Sequence, residues 1–269
     1  MIEPTAPDQN PPTPYYQDDF VTLYHGDSDG TFGGTGILST LRGPFDAVIT
    51  DPPYNVSGGD RSGREGTTLG TLVRKDGTKR KVQRDFGTWD RTWAPAAFLA
   101  ETTRLLRDGG SLVAFTSEFL IGDYMASGLN HRNLIYWRKS NPTPAFRKLY
   151  VRAVEMAVWQ VKGKTGWTWN SGGYTVNVLE GPIVAGFACA NGQTREHPTQ
   201  KPLWLMARII EQHTNEGDLI LDPYAGSGTT AVAAKQMGRR AVVIEQDEAF
   251  CETTAKRLSQ GVLDFGAVS

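Results

Sequence analysis

The chain predicts an α/β fold, a mostly parallel sheet covered by helices on both faces. Three observations carry that reading. Short apolar runs alternate with amphipathic stretches along most of the 269 residues. Several amphipathic stretches stop at a glycine, namely Gly109, Gly128, Gly217 and Gly238. Residues 218–247, "DLILDPYAGSGTTAVAAKQMGRRAVVIEQD", read as strand, glycine turn, helix, strand and acid.

Taken in order, residues 1–17 hold five prolines and little that is apolar, so they read as a mobile tail ahead of a folded unit at 18–269. Strands are expected at 20–24, 47–50, 111–116, 134–137, 153–161, 219–221 and 241–245. Helices are expected at 94–106, 119–127, 202–213, 229–237 and 248–258. Two stretches break the rhythm. Residues 56–90 are polar and glycine-rich, and their core "RKDGTKRKVQR" sets six basic residues against Asp76 alone. Residues 163–196 read as a small insert, with Trp167, Trp169 and Tyr174 among glycines and asparagines. Loops of such length in a compact domain usually serve a function or lack order.

Composition narrows the function classes. Lys and Arg number 28 against 29 Asp and Glu, so a nucleic-acid contact has to rest on a local patch. Two cysteines and four scattered histidines (His25, His131, His197, His213) argue against a disulfide framework and against a metal site. No run reaches the roughly 18 apolar residues of a membrane span, and no signal peptide is evident, so a cytoplasmic protein without membrane contact is expected.

"TDPPYN" follows the apolar run at 45–49 and leaves the strand through an acid, two prolines and an aromatic ring. Prolines stop a strand, but a turn needs neither Asp51 nor Tyr54. Far along the chain, Asp222 ends another expected strand, ahead of the tight turn that Gly226 and Gly228 permit. Open α/β sheets bind ligands at such carboxyl ends. A dinucleotide would want a third glycine where Ala231 stands, and a phosphate-binding loop would want a lysine after the glycines. Asp222 suits a cationic amino group, and Glu245 can accept both hydroxyls of a ribose, a pattern matching S-adenosylmethionine. Alone, an ordinary strand–glycine–helix turn explains that segment equally well.

The two acids suggest one chemistry. An exocyclic base amine is a poor nucleophile because its lone pair is delocalised. Two acceptors aimed at its N–H bonds would draw the nitrogen toward tetrahedral geometry. Asp51 supplies a carboxylate oxygen and Pro52 a backbone carbonyl stiffened by Pro53. Tyr54 supplies a face on which an extruded base can stack. Neither Cys189 nor Cys251 follows a proline, which argues against cytosine C5 chemistry through a thiol adduct.

"DPPY" together with "DPYAGSG" resembles the amino-methyltransferases of DNA, in the permuted β class where the catalytic motif precedes the glycine turn. "HGD" at 25–27, "NLIYWRKSNPTP" at 133–144 and "HPTQKP" at 197–202 fit the same class in order, over about residues 20–258. The resemblance implies a Rossmann-like, S-adenosylmethionine-dependent methyltransferase fold. It places cofactor contacts on Asp27, on His197, Thr199 and Lys201, and on Asp222, Tyr224, Ala225, Gly226, Gly228, Thr229, Thr230 and Glu245. Tyr224 stands where the family usually has phenylalanine. For the basic run, a solvated face is the plain alternative; the expectation is that Arg74, Lys75, Lys79, Arg80, Lys81 and Arg84 meet double-stranded DNA. The implied activity is methylation of adenine N6 in a flipped-out base, with cytosine N4 as the alternative enzyme and a silent S-adenosylmethionine-binding module as the alternative class. Monomer and homodimer both fit, as does a cognate restriction endonuclease as partner. The 163–196 insert is a candidate recognition element.

Overall fold

The computed structural model describes residues 11–30, 36–54, 68–73, 79–83, 93, 95–142, 150–184 and 200–260. In chain order the strands are β1 (Tyr16–Gln17), β2 (Val21–His25), β3 (Phe45–Thr50), β4 (Thr68–Val73), β5 (Lys79–Gln83), β6 (Leu106–Thr116), β7 (Asn130–Lys139), β8 (Val154–Val161), β9 (Val178–Gly181), β10 (Leu219–Asp222) and β11 (Arg240–Glu245). The helices are α1 (Ile37–Thr40), α2 (Pro95–Leu105), α3 (Ile121–Met125), α4 (Leu203–His213), α5 (Thr229–Gln236) and α6 (Glu248–Ser259). Nine strands form one sheet in the order β1-β2-β11-β10-β3-β6-β8-β7-β9. Five of its pairings are parallel; β1 with β2, β6 with β8 and β7 with β8 are antiparallel.

Each central strand is apolar on both sides because helices cover both faces. In β3, Ala47 and Ile49 pack in the core beneath α4, α5 and α6, while Val48 packs in the opposite core with α1, α2 and α3. β6 repeats the split, with Val113 and Phe115 on one side and Leu112 and Ala114 on the other. α4 shows why such a segment is helical. Leu205, Met206, Ile209 and Ile210 form one fully buried stripe. Pro202 caps the start, its carbonyl accepting from Leu205 N at 3.1 Å and Met206 N at 3.2 Å. Burying a leucine or isoleucine side chain contributes about 1.5–3 kcal/mol, and Ile209→Ala would cost about 2–5 kcal/mol.

The register sets the site. His25, Thr50, Asp222 and Glu245 all close their strands on one edge of the sheet. β3 leads on to β6 and β10 to β11, so two adjacent strands depart in opposite directions. A crevice opens at such a switch point.

Every expected strand and helix is present. Four elements were not anticipated: β1, β9, α1 and the β4–β5 ribbon. The expected mobile tail needs correction at its end, where Tyr16 and Gln17 pair with Leu23 and Thr22. Asp18 explains the anchoring, since its carboxylate accepts from Val21 N at 2.7 Å and meets Lys235 Nζ at 2.5 Å. Within the expected insert at 163–196, residues 163–184 pack on the main sheet. β9 joins the sheet beside β7, and Trp169 stacks on Trp159 at 4.8 Å, with the ring of His213, the last residue of α4, packed against both at 4.7 and 5.4 Å. In place of a plain loop, part of 56–90 is the antiparallel ribbon of β4 and β5. Among the described residues no helix is long and apolar enough to cross a membrane.

Candidate active site

β3 delivers the acid. Its apolar run ends at Thr50, and Pro52 and Pro53, both buried, turn the chain without leaving a backbone N–H unpaired. Asp51 Oδ1 accepts from the Tyr54 hydroxyl at 2.5 Å, and Oδ2 accepts from Lys201 Nζ, just ahead of α4. Ser117 holds the loop from β6's end by donating to the Tyr54 carbonyl at 3.3 Å.

In the sequence Asp51 has no charge near it; the fold brings one from 150 residues away. Lys201 in turn meets Glu155 Oε2 of β8 at 3.2 Å, and Glu155 Oε1 meets Lys139 Nζ of β7 at 2.5 Å. Charges alternate along this chain of four. Burial raises the Asp51 carboxyl above the ordinary value, against the pull of Lys201. Burial would raise Glu155 as well, but Lys201 and Lys139 outweigh it and hold that carboxyl below the usual range. Lys201 is drawn above its ordinary value by the two carboxylates despite its own burial.

Beside this loop lies a cavity of about 610 Å³ at the carboxyl ends of β2, β10 and β11. Asp51, Pro53 and Lys201 line one end of it; Asp222, Gly226 and Glu245 line the rest, with Asp27 and His25. Asp222 is 2% exposed, and its Oδ1 accepts from Thr50 Oγ1 at 2.7 Å and Tyr224 N at 3.1 Å. Glu245 accepts from Gly226 N at 2.7 Å and Asp247 N at 2.8 Å, one bond to each oxygen. Burial raises these carboxyls to about 6 and about 7 respectively. Among the described residues no cation touches either acid.

The glycine turn is sterically required. Gly228 caps α5 at φ +76°, and a Cβ there would lie 2.4 Å from Thr254 Cγ2 of α6. Arg257 of α6 ties the turn by donating to the Ser227 carbonyl. Tyr224 turns its hydroxyl to Asp29 Oδ2 at 2.7 Å and accepts from Trp93 Nε1 at 2.9 Å. Asp27 makes a local turn, accepting from Asp29 N and Gly30 N at 3.2 Å, while lining the cavity.

The structure therefore gathers Asp27, Asp51, Pro53, Lys201, Asp222, Tyr224, Ala225, Gly226, Thr229, Thr230 and Glu245 around one cavity. Lys201, expected beside a cofactor, has its ammonium on Asp51. Pro52, Tyr54 and Gly228 adjoin lining residues in sequence and are not themselves part of the lining. His197, Thr199, Arg74, Lys75 and Arg84 lie outside the described residues. Lys79, Arg80 and Lys81 fall on β5, opposite Val73, Leu72 and Thr71. Sequence reading missed Glu155 and Lys139. An acid inside the mostly apolar β8 was the available signal for Glu155; Lys139 had none. Asp29 and Trp93 were missed for want of any local pattern.

A family model described as DNA methylase, of N6 and N4 methyltransferases, matches residues 45–257. The chain belongs to this DNA methylase family. Among curated relatives of the methylase, the type II methyltransferase M2.DpnII of Streptococcus pneumoniae is 30% identical over 261 residues, 91% of this chain and 92% of that one. M2.LlaDCHI of Lactococcus lactis subsp. cremoris, also a type II methyltransferase, is 28% identical over 264 residues, 92% of this chain and 93% of its own. Among solved structures, M1.HpyAVI in complex with SAM superposes with a TM-score of 0.61 at 28% identity, covering 88% of this methylase and 98% of that chain. The cytosine-N4-specific PvuII DNA methyltransferase shares the fold, with a TM-score of 0.66 at 20% identity over 93% of this chain and 90% of its own.

Proposed function

We propose that this DNA methylase transfers a methyl group from S-adenosyl-L-methionine to N6 of adenine in double-stranded DNA, acting on a base turned out of the helix. One observation carries the reading: Asp51 and Pro53 line the same cavity as Asp222, Gly226 and Glu245. The cavity fits the cofactor's charges. Asp222, buried without a cation, faces the cationic methionine end, and Glu245 presents its carboxylate to the cavity for ribose hydroxyls. Asp27 at the β2 end is placed for the adenine, with the glycine turn between.

Bound there, the cofactor supplies a sulfonium-borne methyl for displacement by the base nitrogen. The protein's part is positional. The Asp51 carboxylate and the Pro52 carbonyl accept the two amine hydrogens and free the lone pair, while Tyr54 carries the base plane. The product proton passes to water, because Asp51 acts as an acceptor and not as the final base. Positioning supplies much of the acceleration, and the carboxylate a further factor on the order of 10²–10⁴. The β4–β5 ribbon, with Lys79, Arg80 and Lys81 on β5 and Arg74, Lys75 and Arg84 beside it in sequence, is assigned to DNA phosphates. Adenine over cytosine rests on the "DPPY" motif, whose leading Asp resembles the adenine enzymes. The type II relatives support a restriction–modification setting with a cognate endonuclease, in the cytoplasm.

Unmethylated plasmid DNA incubated with methyl-labelled cofactor, then digested to nucleosides and read by mass spectrometry, should give N6-methyladenine. N4-methylcytosine instead would overturn the choice of base. Equal labelling by an Asp51→Ala variant would overturn the mechanism. No labelling by the wild-type protein on varied DNA would leave only the silent binding module.

A further inference from the structure

Lys201 is a buried cation, its side chain 6% exposed, that the reaction above does not consume. Burying a charge is costly unless it is paired, and the pairing here is lopsided. Lys201 sits between two carboxylates, Asp51 in the cavity and Glu155 behind it on β8, and only Asp51 reaches the cavity lining. Lys139 of β7 balances the far side of Glu155 at 2.5 Å. The second and fourth members of this chain thus fix Glu155, and Glu155 fixes Lys201 against Asp51.

Around Asp51 the other carboxylates push the opposite way. Glu155 on β8 and Asp222 at the end of β10 are like charges, the Tyr124 phenol of α3 stands nearby, and the Tyr54 hydroxyl works with Lys201 by donating to Oδ1. Tyr124 is fully buried, so that side offers no solvation. Among the described residues Lys201 is the one cation bonded to Asp51. Without it only the Tyr54 hydroxyl, among the described residues, would support the charged form against two acids and burial, and the neutral form gains. A neutral carboxyl presents a donor O–H where the target amine needs an acceptor.

We propose that Lys201, held by Glu155, is a positioning residue that keeps Asp51 ionised and oriented as the acceptor for the target amine. The proposal rests on the reading of Asp51 given above. Lys201 touches neither the reacting nitrogen nor the methyl group in this account; it acts through Asp51.

The test is the pH dependence of single-turnover methylation of plasmid DNA. Lys201→Met should move the acid limb upward by about one to three pH units, with activity recovering at high pH. Lys201→Arg, which restores the charge, should return the limb close to its wild-type place. Lys201→Met combined with Glu155→Gln removes both charges and leaves less buried imbalance. Its limb should fall between the wild-type and Lys201→Met positions, and it serves if the single variant fails to fold. The apoprotein gives the same readout without catalysis, through the Asp51 carboxyl titration in ¹³C-aspartate-labelled protein, assigned by Asp51→Asn. A uniform fall in rate at every pH with the limb and the Asp51 titration unmoved would overturn the proposal. Asp51→Asn as active as wild type would instead overturn the reading of Asp51, whatever the limb does.

Discussion

Two ends of one cavity handle buried acid in opposite ways. At the β3 end, Asp51 carries its own cation, Lys201, supplied by the chain and locked by Glu155. At the β10 and β11 end, Asp222 and Glu245 are buried on neutral hydrogen bonds alone, and their carboxyls titrate near neutrality, at about 6 and about 7. A charge paired within the protein stands ready before any ligand arrives. A charge left unpaired is stored instability that a cationic ligand relieves on binding. The first arrangement suits an acid that must act on a neutral amine, and the second suits acids whose partners arrive with a ligand.

The largest test of this contrast is Asp51→Ala, which should lower the methylation rate by a factor of about 10²–10⁴. It should also lower the melting temperature, because Lys201 loses its cavity-side partner; breaking a buried pair costs on the order of 3 kcal/mol. Neutralising the other end should have the reverse effect on stability. The folded carboxyl of Asp222 lies at about 6, above its ordinary 3.8, so the folded protein holds a proton that the unfolded chain has released. Stability from that proton is present below pH 4 and lost as pH rises through about 6. Asp222→Asn should therefore stabilise the apoprotein above pH 6 by about 1–3 kcal/mol, while weakening cofactor binding roughly tenfold to a hundredfold. Calorimetry of both variants checks both signs, and stabilisation by Asp51→Ala would erase the distinction.

A smaller effect follows from the same acids in the wild-type protein. Cofactor affinity, measured by titration calorimetry, should rise between about pH 5 and pH 7.5 as Asp222 and Glu245 ionise, by at most about tenfold per unit for each acid. A flat profile would mean that neither carboxylate meets a cation or a ribose. Smallest is Tyr224→Phe, which removes the hydroxyl between Asp29 and Trp93. It should cost about 1 kcal/mol in thermal unfolding and leave the methylation rate within about twofold.

Much of this was legible in the sequence, for reasons that differ by residue. Asp51 and Asp222 stood out because an acid followed by proline or a glycine turn after an apolar run breaks local expectation. The central strands were readable because burial on both faces leaves continuous apolar runs. β1 and β9 were not, since two and four residues show no period and gain their order only from pairing with distant strands. The partner of Asp51 was hidden for the same reason. Nothing near residue 51 or residue 201 announces that two segments 150 residues apart share a hydrogen bond. Tyr224 looked like a mild aromatic exchange, whereas its hydroxyl makes a link that phenylalanine lacks.

The anchoring of Asp18 to Lys235 carries a consequence for chain order. Tyr15 and Gln260 line one surface depression on α6. A short peptide could join these places, and new ends could be opened in an exposed turn such as that around Gly128, outside the cavity lining. β3 and β10 would still lie side by side, with the Thr50 hydroxyl on Asp222 as before. The chemistry belongs to their adjacency in space, and the direction in which the backbone happens to visit them is free to be rewritten.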